Sequence, residues 1–272
     1  MNRIDAIVLA ACASTSLFSP VAGAQTEDAW QFNATIYLYL PSISGTTVFP
    51  QSGSGSDVGV DASTIIDSLK SVFMGTLEAR KGRWGGFTDV VYIDLGNSVS
   101  GSRGLTIGGV PLPVDVSADA TLGLYGTAWT TAGTYRAVMD PKSPVDLLAG
   151  ARLLDITESL DWQLSGNFGS IPTPDWAGSQ KANLNIWDAI VGVKGRYGFG
   201  AEKKWFIPYY FDVGTGESKL TWQAMTGIGY SFKWGDLMVA WRQLDYTMKP
   251  GSNIESLSFN GPSGFVGASF NW

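Results

Sequence analysis

Ten segments of this chain place their side chains alternately on two faces, and the connections joining them are mostly short and long by turns. In Trp30 to Leu40, for example, Trp30, Phe32, Ala34, Ile36, Leu38 and Leu40 share one face. Gln31, Asn33, Thr35, Tyr37 and Tyr39 share the other. A period of two is that of a β-strand with chemically different sides. The remaining segments are 70–81, 84–95, 116–139, 145–160, 183–199, 204–213, 219–234, 236–248 and 262–272. Tight turns at Gly82-Arg83, 140–144, 200–203 and Gly235 alternate with longer connections at 41–69, 97–115, 161–182 and 249–260. Only 214–216 is shorter than this rhythm asks. Such connections collect at opposite ends of an up-and-down sheet. Strands this apolar leave a dangerous edge unless the sheet closes on itself. The expected fold is therefore all-β, a ten-stranded antiparallel up-and-down barrel, with a short helix at 61–69 in the first long connection.

Composition says which solvent the outside of the barrel meets. Charged residues are only 15% of the chain, aromatics reach 12% and there are 34 glycines, against about a quarter charged in an ordinary globular domain. No run of eighteen apolar residues occurs and mean hydropathy is only +0.07, which excludes membrane-spanning helices. A strand needs only every second residue to be apolar, so the chain reads as a transmembrane barrel. The net charge of −6 is spread along the sequence, with no basic stripe and no phosphate-binding loop, so no nucleic-acid partner is expected.

Residues 1–24 have the form of a signal peptide: Arg3, the apolar stretch Ala6 to Ala13, and Ala22-Gly23-Ala24 before Gln25. The barrel domain is then 25–272. The lone cysteine, Cys12, follows Leu9-Ala10-Ala11 in a lipobox-like context, but the apolar stretch before it is too short for a lipoprotein signal.

Tryptophan placement is an independent indicator. Trp30, Trp84, Trp205, Trp234 and Trp272 fall at the end with the tight turns, while Trp162, Trp176, Trp187 and Trp222 fall near the other. Indoles favour the boundary between hydrocarbon and headgroups, so two belts are expected. Tryptophans in the core of a soluble sandwich would not sort in this way. The stretch Pro262 to Trp272 (PSGFVGASFNW) alternates cleanly and carries the aromatics Phe270 and Trp272. It resembles the terminal strand of bacterial outer-membrane β-barrels. The mature chain is similar throughout to the small barrels of the OmpA/OmpW type, without a peptidoglycan-binding domain. The resemblance implies a bacterial outer-membrane location, outer-membrane lipid as the surrounding partner, and recognition of Phe270 and Trp272 by the barrel-insertion machinery.

A charge facing lipid at mid-depth costs about 2–4 kcal/mol, so the charged phase of each strand is assigned to the lumen. That rule places Glu78, Arg80, Arg136, Arg152, Asp188, Lys194, Arg196 and Asp212 inside. On 84–95 and 236–248 charges fall on both phases. Asp89 and Arg242 are assigned inside because Asp94 and Asp245 lie towards the external ends, where a charge already meets water. Two readings of such a lumen stand. The charges form a structural network that plugs the barrel, or they line a narrow porin-like path for small polar or anionic solutes. The plug is favoured, because narrow barrels are filled by their own side chains.

The chain contains no histidine, the side chain whose ordinary pKa suits proton transfer near neutrality. Outer-membrane phospholipases, lipid A deacylases and omptin-type proteases are similar in depending on one, and none can be carried onto this sequence. Carboxylate pairs such as Asp155 with Glu158, or Asp89 with Asp94, read as loop-end or lumen charges. No enzymatic activity, metal or cofactor is expected. The two functions left are a narrow channel or facilitator for small solutes in a largely plugged barrel, and a surface-interaction barrel acting through 41–69, 97–115 and 161–182.

Overall fold

The computed structural model describes residues 29–39, 41–48, 55–60, 69–95, 106–107, 110–111, 116–168, 171–172, 176–200, 202–252, 254–260 and 265–272. In chain order the strands are β1 (Trp30–Tyr39), β2 (Ser42–Val48), β3 (Gly55–Val60), β4 (Leu69–Lys81) and β5 (Trp84–Leu95). Two-residue bridges β6 (Thr106–Ile107) and β7 (Val110–Pro111) precede the long strands β8 (Val116–Val138) and β9 (Val145–Phe168). After the bridge β10 (Ile171–Pro172) come β11 (Trp176–Phe199), β12 (Trp205–Gly216), β13 (Leu220–Ser231) and β14 (Asp236–Thr247). The chain finishes with β15 (Ile254–Asn260) and β16 (Phe265–Asn271). Among the described residues there is no α-helix; 61–68, where a short helix is expected, lie outside them.

Ten strands close the barrel in the order β1, β4, β5, β8, β9, β11, β12, β13, β14, β16, each antiparallel to its neighbours, with β16 returning to β1. The closing seam runs from Asn33 opposite Asn271 to Tyr39 opposite Phe265. The backbones of Phe32 and Trp272 exchange hydrogen bonds of 3.0 and 3.1 Å. With β16 paired to β1, the barrel wall itself has no open edge to recruit another chain. The tight turns sit together at one end. The two-residue turn Gly82-Arg83 joins Lys81 to Trp84 with Gly82 at φ 57°, and Gly200 takes φ 83°, conformations that glycine adopts without strain. In the latter turn Glu202 pairs with Lys204, which holds that carboxyl below its ordinary pKa.

Three expected connections are strands instead. Residues 254–260, expected in the loop 249–260, form β15, which pairs with the upper half of β14 while β16 pairs with the lower half. Of the closing strand expected over 262–272, β16 covers Phe265–Asn271, and 261–264 lie outside the described residues. On its other side β15 pairs with β2, and β2 with β3, so part of 41–69 is a sheet that continues the seam above the barrel. The connection 161–182 is also mostly strand: β9 runs on to Phe168 and β11 begins at Trp176, paired from Trp176 opposite Leu164. These polar stretches lack a clean apolar phase, because no lipid faces them. Backbone pairing, which sequence alternation does not report, extends them.

The outward phase is apolar. Ile36, Phe73, Leu77, Val191, Phe211, Ile228 and Val239 are all exposed, as a lipid-facing surface requires. Val191 is 58% exposed in the middle of β11, between Ala149 and Val213. Val191→Arg is expected to lower folding stability by about 2–4 kcal/mol. Urea titration in lipid vesicles measures this, with Ile190→Val on the lumen side as the comparison.

Candidate functional site

The inward phase at the end with the tight turns brings four cations and three carboxylates together. Asp146, at the start of β9, accepts hydrogen bonds from Arg80 at 2.6 Å and from Arg136 at 2.8 and 3.1 Å. Glu78 accepts from Arg80 at 2.9 Å and from Lys194. The Lys194 ammonium lies 4.7 Å from the centre of the Phe87 ring. Arg196 pairs with Asp236 at 3.1 Å and lies over Phe206. Phe206 in turn spreads across Gly229, where an added Cβ would stand 2.2 Å from the ring. The glycine lets an aromatic ring lie flat against the wall and leaves room for the guanidinium above it. Strands 4.7–4.9 Å apart around a narrow barrel bring long side chains within mutual reach, and these span the lumen to meet one another.

At mid-depth two further ties cross the interior. Arg152 on β9 pairs with Asp212 on β12, and both side chains are 0% exposed. Arg152 also donates to the Thr130 hydroxyl at 3.1 Å and the Thr221 hydroxyl at 3.3 Å. Arg242 on β14 donates to Asp89 at 2.9 Å, to the Tyr37 hydroxyl at 2.8 Å and to Gln223 at 3.0 Å. Asp89 additionally accepts from Tyr37 at 2.6 Å and Thr76 at 2.7 Å. The guanidinium lies 5.7 and 5.5 Å from the ring centres of Tyr37 and Tyr39. Buried charges are tolerable when they are paired and their remaining hydrogen-bonding capacity is met. Asp188 sits higher, where its carboxylate accepts from the Ser218 amide at 2.9 Å and fastens the short β12–β13 turn to β11.

Above these ties the lumen turns apolar. Tyr39, Met74, Ile93, Leu95, Leu154, Ile156, Ile186, Leu244, Tyr246, Met248, Leu257 and Phe259 form one buried cluster, contributed by strands from opposite walls. It leaves a pocket with about 480 Å³ of empty space, part of it open to solvent.

The tryptophans at the turn end are outward and in contact. Trp205, Tyr230, Phe232, Trp234 and Phe270 form a continuous run with ring centres 4.7–5.7 Å apart. Trp30 and Trp272 stack on either side of Phe32 at 6.2 and 5.9 Å, and Trp84 meets Tyr135 edge-on at 4.9 Å. Towards the far end, Trp187 meets Trp129 edge-on at 5.9 Å; the side chains of Trp162 and Trp176 lie outside the described residues. A closed barrel with an apolar outer band and an aromatic girdle satisfies every backbone group internally while presenting carbon to lipid. The chain is an outer-membrane β-barrel.

No protein-family model and no curated protein matches the sequence. The fold is similar to that of a solved outer-membrane barrel. The outer-membrane protease OmpT from Escherichia coli superposes with a TM-score of 0.55 at 10% identity, over 93% of this chain and 100% of that one. The translocator domain of the autotransporter NalP from Neisseria meningitidis gives 0.40 at 12% identity, over 92% and 90%. The attachment invasion locus protein Ail of Yersinia pestis gives 0.32 at 10%, over 90% and 99%. The likeness to OmpT is one of fold. These likenesses show the fold and do not assign the chain to the OmpA/OmpW type.

All ten sequence-assigned lumen charges of this outer-membrane barrel face inward, and nine of them pair with an opposite charge; Asp188 is the tenth, bound to a backbone amide. Two partners escaped the sequence reading: Asp146 and Asp236. Both were within its reach, since Asp146 shares the parity of Arg152 and Asp236 that of Arg242. The apolar upper lumen also left a trace. On β5 the inner phase becomes hydrophobic after Asp89, with Val91, Ile93 and Leu95.

Proposed function

We propose that this outer-membrane barrel is closed to solute flow and acts at its external end. What supports this reading is that two kinds of filling stand in series. Paired charges cross the turn half of the lumen, and a hydrophobic core occupies the far half. Ions entering from the turn side meet charges already paired with one another, and those entering from the far side meet carbon, where a narrow passage loses its water. With tight turns on the periplasmic side, as in bacterial barrels generally, the far end is external.

That end also carries the extra structure. β8, β9 and β11 have 23 or 24 residues, against 12 in β12, β13 and β14. A dozen further residues, tilted by about 40°, reach roughly 30 Å past the rim. The three strands remain paired along this length, which makes a blade standing clear of the membrane. Beside the seam stands the sheet of β15, β2 and β3. On this reading the barrel is an anchor and the exposed sheets are contact surfaces. No catalytic role is assigned.

Reconstitution into planar bilayers tests the central point. The purified barrel is expected to give no resolved unitary steps at loads where a general porin conducts. Stable steps of uniform size would overturn the closed-lumen reading.

A further inference from the structure

The apolar half of the lumen is shaped to receive something. Its pocket is walled by Tyr39, Ile93, Leu154, Ile156, Leu244 and Phe259, drawn from both sides of the barrel, with Arg242 at its floor. The polar groups nearest it are turned away. The Tyr39 hydroxyl donates to the backbone carbonyls of Arg242 at 3.0 Å and Phe259 at 2.8 Å, so the pocket meets its ring. The Arg242 guanidinium is engaged by Asp89, Tyr37 and Gln223 and flanked by two tyrosine rings. Its charge is thus neutralised below the pocket rather than offered to an anion. An enclosed site holds water only where two to four polar partners converge, and this one presents carbon. The lining is almost wholly apolar, and the space opens partly to solvent, which is the character of small-molecule sites.

We infer that the external half of the lumen is a blind binding pocket for a small apolar molecule of hydrocarbon type, entering from outside and held above the ionic ties. The inference rests on the closed-lumen reading for the word blind, and on the pocket's own lining for the ligand class. Paired charges beneath the pocket give a hydrocarbon no onward path, because crossing them would strip their hydrogen-bonded surroundings without replacing any bond. The pocket therefore retains its occupant and does not conduct it.

The test uses the full chain in lipid nanodiscs, with isoleucine δ1 methyls carbon-labelled, titrated with toluene. Toluene also partitions into lipid, so the internal comparison matters. Ile36, Ile207 and Ile228 face outward and are expected to shift linearly with added toluene. Ile93 and Ile156 are buried in the pocket wall and are expected to shift along a saturating curve. Ala128→Leu fills the pocket from β8 and is expected to abolish the saturating component while the barrel keeps its heat-dependent gel mobility. Linear or absent shifts at Ile93 and Ile156 would overturn the proposal, as would undiminished saturation in the Ala128→Leu protein. A silent bilayer with no saturation removes the pocket and leaves the closed barrel. Saturation in a barrel that conducts removes only its blindness.

Discussion

Arg152→Met is expected to destabilise the barrel by about 3–5 kcal/mol, the cost of leaving one member of a fully buried ion pair without its partner. Arg152 and Asp212 have no solvent contact, so neither water nor salt compensates when the guanidinium is removed. The loss is specific to the unpaired charge rather than to the absence of a salt bridge. In Arg152→Met/Asp212→Leu the carboxylate goes as well, and apolar side chains of similar volume often replace such a pair at little net cost. The double variant is therefore expected to return to within about 1 kcal/mol of the parent. Equilibrium unfolding in urea, followed by tryptophan emission in lipid vesicles, measures both. A single variant as stable as the parent would mean that Asp212 finds another partner. A double variant no better than the single would mean that Thr130 and Thr221, the other partners of Arg152, carry the loss.

The rule that places Arg152 inside is also why much of this barrel was legible from its sequence. Lipid enforces chemistry on every second residue of a spanning strand, so β11, with Val191 and Tyr197 on one phase and Asp188, Lys194 and Arg196 on the other, announces its orientation. Positions in the lumen are less constrained. A buried carboxylate, a tyrosine and a leucine are all permitted there, provided each meets a suitable neighbour across the barrel. Which charge meets which depends on tilt and register. The pairings Arg242 with Asp89, or Glu78 with Lys194 116 residues away, follow from closure and not from any local pattern. Outside the membrane the constraint lapses. β15 carries the sequence IESLSFN, with Leu257 and Phe259 inward, which is a fair strand. Its glycine- and serine-rich surroundings nevertheless read as loop. Only its two partners, β14 and β2, make it a strand.

If the charged and apolar fillings act in series, removing one should leave the barrel silent. Glu78→Ser/Arg80→Ser/Asp89→Ser/Arg242→Ser strips paired charges from the turn half and the middle and frees space for water. The bilayer is nevertheless expected to show no steps, because Leu154, Leu244, Ile156 and Phe259 still keep the far half apolar and a narrow apolar passage conducts only when wetted. Adding Leu154→Ser and Leu244→Ser places hydroxyls on two walls of that passage. Water then has partners there, and resolved unitary steps are expected where none occurred before. The order of the substitutions separates a two-part block from a single one. Conduction by the four-residue variant alone would make the charge network the whole barrier and the apolar cluster a bystander. Silence in the six-residue variant, with the barrel shown intact by its gel mobility, would place the barrier in the Arg152–Asp212 tie. That pair is the one mid-depth crossing the six substitutions leave untouched, and Arg152→Met/Asp212→Leu then becomes the deciding addition.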